Sequence, residues 1–295
     1  MDSALTTVLL PLALAVVMLG LGLSLTVDDF RRVGRAPRAV VVALACQLLL
    51  LPVLCFGLVL AFGLSPLLAV GMMLLAASPG GTTANLFSHL YGGDVALNIT
   101  LTALNSVIAV ATLPVVTNLA FAYFEPDNGN GAVGLQLDKT LQVFAIVLVP
   151  VAIGMLVRNR APAFAARMDR PVRLLSVVVL AAVIAGTIVA ERENVAEYFG
   201  SVGLVSLVFC LASLGIGYGV PRLLDVGHRQ ALASSMEVGI HNSTLAIAIA
   251  VSVLGEVTLA VPAAVYAIVM FPTAAVVGRL VAGAGRRQAA ERQVA

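Results

Sequence analysis

Met236-Glu237-Val238-Gly239-Ile240-His241-Asn242-Ser243-Thr244 is a polar interruption inside a long apolar stretch. A charged residue at the centre of a membrane helix costs roughly 2.5–3.5 kcal/mol on insertion scales, so an intramembrane carboxylate such as Glu237 needs a functional reason. Gly239 weakens the helix around it, and His241, Asn242, Ser243 and Thr244 bring polar atoms to the same depth.

The surroundings establish that depth. Over 295 residues the chain is 60% hydrophobic and 11% charged, a balance that excludes a soluble domain of this length. Apolar runs recur at the ~20 residues an α-helical span needs and lack the alternation of a barrel strand. An all-α polytopic membrane protein is expected, with nine transmembrane helices: about Leu5–Leu25, Arg38–Phe62, Pro66–Tyr91, Val95–Phe121, Leu137–Val157, Val172–Ala190, Val202–Pro221, Gln230–Val253 and Leu259–Ala282. The start, Met1-Asp2-Ser3, has no basic n-region, so the first run is expected to be a retained span. Cys46, Cys55 and Cys210 all fall in apolar runs without paired spacing and are expected to be packing residues.

Charge sets the orientation. With the N-terminus outside, only Lys139 and Arg192 of the 17 basic residues fall in outside loops. The positive-inside rule therefore predicts N-terminus out, C-terminus cytoplasmic and an odd number of spans in a cell (inner or plasma) membrane.

The third span carries a second breaker, Ser78-Pro79-Gly80-Gly81-Thr82-Thr83-Ala84-Asn85. Pro79 removes a backbone donor and the two glycines ease departure from helical geometry; the freed groups must face ligand, water or protein. Both interrupted spans are followed by similar starts, Gly93-Asp94-Val95-Ala96-Leu97 and Gly255-Glu256-Val257-Thr258-Leu259, which the charge map puts on opposite sides of the membrane. That predicts an inverted repeat with two discontinuous helices, the arrangement of a secondary transporter's binding site. One transporter domain over 1–295 is expected, its halves at about 1–124 and 137–284, with a short basic tail at 285–295.

With Gln47 and Pro52 in the second span, Pro79-Gly80-Gly81-Thr82 and Asn85 in the third, Thr102 in the fourth, and Glu237-Val238-Gly239 with Asn242-Ser243 in the eighth, the chain resembles the bile acid:sodium symporter family along essentially its whole length. The resemblance implies crossed discontinuous helices in a core domain beside a panel domain, alternating access, and a first repeat lacking the initial helix of ten-span relatives. It points to Asn85, Thr102 and Glu237 for a first sodium site, oxygen donors suited to a hard cation. Where relatives carry serines, this chain has Ala84 and Asn98, whose amide oxygen could replace a hydroxyl. For a second sodium site it points to Gln47, Glu237 and the carbonyls of Val238 and Ile240, with His241 standing where relatives usually have glutamine. Imidazole suits softer metals better than sodium and can take a proton near neutral pH. Thr82, Thr83 and Asn242 are the side chains expected at the substrate, near the helix N-terminus after the first break. Met270-Phe271 replaces a polar pair of some relatives and makes part of the wall apolar.

The function these readings imply is sodium-coupled symport of a small organic anion, bile-acid-like or a smaller carboxylate, by a protein that is not an enzyme. Its only coupling ion would be Na+, its setting the lipid bilayer, and nucleic acid is not expected as a partner; nothing in the sequence sets an oligomeric state. Each monovalent cation carried inward across 100 mV gains about 2.3 kcal/mol, a roughly fifty-fold gradient of a neutral partner. A monoanion consumes one such charge, so net inward charge would need two coupling ions. The main alternative is proton coupling, with His241 and Glu237 as the carriers. An arsenite-type exporter should carry a cysteine near the first break, which this chain lacks, and an intramembrane metalloenzyme could use the i, i+4 pair Glu237 and His241. Asn98, Thr102 and Asn105, and less readily Gln47, also read as interhelical hydrogen bonds, and His89 and His228 as interfacial residues.

Overall fold

The computed structural model describes residues 15–16, 18–20, 22–23, 26–81, 83–126, 137–168, 171–172, 174–175, 178 and 195–294, without side chains at 27, 30, 137–148, 195–199 and 284–294. Among the described residues the regular elements are helical. After a short helix Val27–Arg31 and a 3-10 turn Arg32–Arg35 come α1 (Pro37–Ala61), α2 (Pro66–Ala77), α3 (Thr83–Tyr91), α4 (Val95–Phe124), α5 (Leu137–Arg160), α6 (Val195–Leu223), α7 (His228–Gly239), α8 (Ser243–Ser252) and, after a 3-10 turn Thr258–Ala260, α9 (Val261–Val294).

Four stretches, Pro37–Ala61, Val95–Phe124, Gly200–Leu223 and Thr258–Gly283, are long and apolar enough to cross a membrane. They coincide with the expected second, fourth, seventh and ninth spans. The third and eighth are broken as expected: α2 and α8 are apolar but only 12 and 10 residues long, and each continues across a non-helical break into a partner, α3 or α7. Most of the first and sixth expected spans lies outside the described residues.

Large apolar side chains lie exposed here while a set of polar ones is buried. Leu49, Val53, Leu119 and Leu280 are 66%, 72%, 66% and 69% exposed, whereas Gln47, Asn98, Thr102, Asn105, Glu237 and His241 are buried. Water would penalise that surface, and lipid does not, so packing between helices must come from shape and polar contacts. α6 lies against α7 and α9, α2 against α1 and α4, and α7 against α3 and α4, around Met72, Leu75, Phe209, Met236 and Tyr266. All three cysteines are free and buried in this packing.

Local sequence chemistry positions the polar side chains. In α1 a π-turn over Cys46–Leu50 precedes Pro52, with the Leu51 N–H reaching back to the Cys46 carbonyl. Pro52 offers no N–H and its ring crowds the preceding turn; the wide turn absorbs both and leaves Gln47 facing the interior. After each broken span the chain turns through a left-handed glycine, Gly92 (φ 80°) and Gly255 (φ 71°). An acidic side chain follows each turn: Asp94 caps α4 by accepting from the Leu97 N–H at 3.1 Å, and Glu256 accepts from the Thr258 N–H at 3.2 Å, at the 3-10 turn Thr258–Ala260 that leads into α9.

Candidate functional site

The two breaks meet. Ser78 is extended (ψ 145°), as a residue before proline prefers, and ends α2. Ile240 leaves helical geometry after Gly239 (ψ 87°) and ends α7. The released segments run antiparallel, joined by Gly81 N–H to the Ile240 carbonyl (2.7 Å) and Asn242 N–H to the Pro79 carbonyl (2.8 Å), which frame Gly80 against His241. An unsatisfied backbone group in hydrocarbon costs several kcal/mol, so these breaks are tolerable because each supplies the other's partners. The close approach also explains two glycines. A Cβ on Gly80 would overlap the Glu237 carboxylate, and one on Gly239 would overlap the Leu214 side chain of α6.

Glu237, fully buried on α7, points at the polar face of α4. Thr102 donates to Oε2 at 2.6 Å, Asn105 Nδ2 to Oε1 at 3.1 Å, and Asn98 Nδ2 to Oε2 at 3.5 Å while holding the Ala233 carbonyl at 2.9 Å. Residues 98, 102 and 105 follow i, i+4, i+7 spacing, so one helical face presents all three donors. Among the described residues no Lys, Arg or His is ion-paired with Glu237. A buried carboxylate held only by neutral donors keeps its charge uncompensated, at an effective penalty of several kcal/mol.

A second cluster forms on the Ser78 carbonyl, which accepts from Gln47 Nε2 at 3.0 Å and lies 3.3 Å from His241 Nδ1. A carbonyl can only accept, so Nδ1 carries the hydrogen, and in the neutral ring Nε2 presents its lone pair. The His241 ring stacks on Phe209 (centroids 5.5 Å, interplanar 18°) and meets Tyr266 edge-on at 5.4 Å. Tyr266 in turn donates to the Gly239 carbonyl at 2.8 Å, fixing the end of α7.

In these two clusters Asn98 Oδ1, Asn105 Oδ1, Gln47 Oε1 and His241 Nε2 are buried acceptors without protein partners among the described residues, as is Asn85 Oδ1 on α3. Each such atom costs about 1–3 kcal/mol unless a ligand or water satisfies it. All but His241 Nε2 are oxygens, the donor type a hard cation takes. The sequence-expected residues thus fall into place unequally. Asn98, Thr102 and Glu237 are joined by direct contacts; Gln47 and His241 share the Ser78 carbonyl; Asn85 lies on α3 with its oxygen unpartnered. The Ile240 carbonyl is engaged by Gly81, and Val238 is fully buried in the last turn of α7. Asn242 caps α8 by accepting from the Leu245 N–H at 3.1 Å, and Thr83 opens α3 half-buried. Thr82 lies outside the described residues. Asn105, which sequence reasoning left among the helix-bonding residues, holds the carboxylate directly; its i+7 spacing from Asn98 was the available signal.

Four helices long and apolar enough to cross a membrane, exposed large apolar side chains, and two broken helices crossing at a buried carboxylate define an integral membrane protein of helical type. The chain belongs to the Sodium Bile acid symporter family, whose model matches residues 11–198. It is 29% identical over 259 residues to the uncharacterized sodium-dependent transporter YocS of Bacillus subtilis (strain 168), covering 86% of this chain and 77% of that one. With the probable sodium/metabolite cotransporter BASS1, chloroplastic, of Arabidopsis thaliana it shares 31% identity over 283 residues, 94% of this chain and 66% of the relative. The ileal sodium/bile acid cotransporter of Cricetulus griseus is 24% identical over 245 residues, 82% and 69% of the two chains. The family is one of sodium-dependent transporters, not enzymes, which removes the metalloenzyme reading.

Proposed function

We propose that this protein imports a small organic anion together with sodium by alternating access. The observation that carries the reading is Glu237: a buried carboxylate without an ion-paired cation among the described residues, at the crossing of two helix breaks and beside partnerless buried oxygens. A monovalent cation there would neutralise the carboxylate and satisfy the oxygens together, and release of that cation would restore the penalty. Occupancy is thereby coupled to the packing of α3, α4 and α7, whose relative movement is the natural means of exposing the site to either side. Asn85, Asn98, Thr102 and Glu237 are the ligands proposed for one ion. Gln47, Glu237, the Val238 and Ile240 carbonyls and His241 surround the other position. Thr83 and Asn242, at the starts of α3 and α8, are proposed for the anion together with Thr82, Thr83's neighbour in the sequence, because helix N-termini favour negative charge. The relatives' printed names, sodium/metabolite and sodium/bile acid cotransporters, support an organic substrate.

The frame of this mechanism is a nine-span inverted repeat, one transporter domain over 1–295 with core and panel parts, N-terminus outside and C-terminus cytoplasmic. The matching glycine turns and the acidic side chains that accept from the next backbone N–H groups after the two broken spans support the repeat. Uptake of radiolabelled carboxylates and bile salts into proteoliposomes, with sodium or proton gradients imposed separately, tests the function. Sodium-driven accumulation is expected. Accumulation driven by protons alone, and lost in His241→Gln, would transfer the coupling to His241 and Glu237.

A further inference from the structure

We propose that Asn105 is a ligand and selectivity-setting residue of the cation site at Glu237, an inference that rests on the sodium reading above. An ionised carboxylate only accepts hydrogen bonds, so the 3.1 Å contact to Oε1 must come from the Asn105 amide nitrogen. The amide oxygen on the same carbon takes no part in that hydrogen bond and stays free to accept. It is buried, with no donor within reach among the described residues. Asn98, one face-repeat earlier on α4, is held in the same sense: Nδ2 occupied by the Ala233 carbonyl and Glu237, Oδ1 buried and partnerless. Two neutral amide oxygens therefore stand beside one uncompensated negative charge, an electrostatic setting that suits a monovalent cation.

Asn105 differs from its neighbours in what it does to the carboxylate. Thr102 and Asn98 both hydrogen-bond Oε2, while Asn105 alone among the described side chains hydrogen-bonds Oε1. Clamped on both oxygens, the carboxylate cannot turn to follow ions of different size. The spacing between a fixed carboxylate and the Asn105 oxygen then selects among cations. A proton needs a single acceptor and gains nothing from this arrangement, whereas a metal cation needs several oxygens at once.

The test uses the full chain, purified in detergent, with NaCl and LiCl titrated against choline chloride at constant ionic strength. Unfolding is followed with a thiol-reactive dye at the three buried cysteines. The wild type should show saturable stabilisation by sodium. Asn105→Leu should raise half-saturating sodium at least tenfold and change the sodium-to-lithium preference at least threefold. Asn105→Asp keeps an oxygen and adds a charge, and should gain stabilisation by millimolar CaCl2 that the wild type lacks. This gain decides the matter even if the leucine variant fails to fold. Equal weakening of both alkali ions without a calcium gain would reduce Asn105 to a positioning residue and overturn its role as a ligand. Variants that titrate as the wild type overturn the proposal and leave the sodium reading intact. A wild type indifferent to sodium overturns both.

Discussion

Glu237→Gln removes a charge but very few hydrogen bonds, and the geometry says which. With the new amide nitrogen in the place of Oε2, the oxygen stays with Asn105 Nδ2, 3.1 Å away in the wild type. Thr102 Oγ1 lies 2.6 Å from Oε2 and 3.1 Å from the Asn98 carbonyl, so its hydroxyl can donate to that carbonyl and accept from the new amide. Only the 3.5 Å contact from Asn98 Nδ2 is lost, and that group keeps the Ala233 carbonyl at 2.9 Å. In sodium-free buffer the variant should therefore unfold no earlier than the wild type, because the penalty of an unpaired buried ion, several kcal/mol, has gone with the charge. At sodium concentrations a hundred times the dissociation constant the wild type should gain about 2.7 kcal/mol, a rise of about 5–10 °C in Tm, and the variant nothing. Thermal unfolding in sodium and choline chloride at equal ionic strength reads both numbers. Sodium stabilisation of wild-type size in Glu237→Gln would refute the assignment of the ion to this carboxylate. A sodium-free loss above about 2 kcal/mol would refute the hydrogen-bond exchange.

Gly80→Ala drives a methyl into the Glu237 carboxylate on a backbone pinned at 2.7 and 2.8 Å, so it should destabilise by about 1–3 kcal/mol or more and abolish sodium-dependent stabilisation together. Gly239→Ala collides with Leu214, and adding Leu214→Ala should restore part of the lost stability; a double-mutant cycle should return a coupling above about 1 kcal/mol, and additivity would exclude the contact. His228, at the N-terminal end of α7 outside the span, is held below the usual histidine pKa by partial burial and then by the positive charge of Arg222. Its neutral form, hydrogen-bonded to Tyr218 at 2.9 Å, favours the fold above about pH 6.5, and that contribution is lost as pH falls from there through the folded pKa. Thermal unfolding against pH should show this acid limb in the wild type and a flatter one in His228→Phe.

What the sequence makes legible follows from what hydrocarbon forbids. Pro79-Gly80-Gly81 and the Glu237 run are readable as breaks because few residues justify leaving a helix in lipid, and Gln47, Asn98 and Thr102 are readable because polar side chains there require partners. The pairing of those partners is three-dimensional and is not written in one dimension. Nothing in the string says that Gly81 bonds to Ile240 and Asn242 to Pro79, because that depends on how two spans far apart in the chain cross. The same limit hides Asn105. Its spacing puts it on the face of Asn98 and Thr102, but whether that face meets Glu237 or a neutral helix is decided by the docking of α4 on α7. The π-turn at Cys46–Leu50 is an intermediate case: Pro52 announces a disturbance, and only packing shows that the disturbance turns Gln47 onto the Ser78 carbonyl.

The same geometry says why His241 and Glu237 should answer differently to substitution. When ionised, Glu237 has only neutral donors, so the surrounding shell is then one charge short of balance and gains by taking up a cation. His241 is anchored by one nitrogen to a carbonyl that Gln47 also holds, and is pressed between Phe209 and Tyr266. Its ring is positioned as firmly by packing as by hydrogen bonding, and replacing it changes the shape of the crossing as well as its chemistry. Glutamine at 241 could keep the bond to the Ser78 carbonyl and supply an oxygen in place of the unpartnered Nε2, but it would leave the stack on Phe209 unfilled. A gain in sodium affinity from His241→Gln would therefore come with a loss of stability in sodium-free buffer, whereas Glu237→Gln reverses both signs.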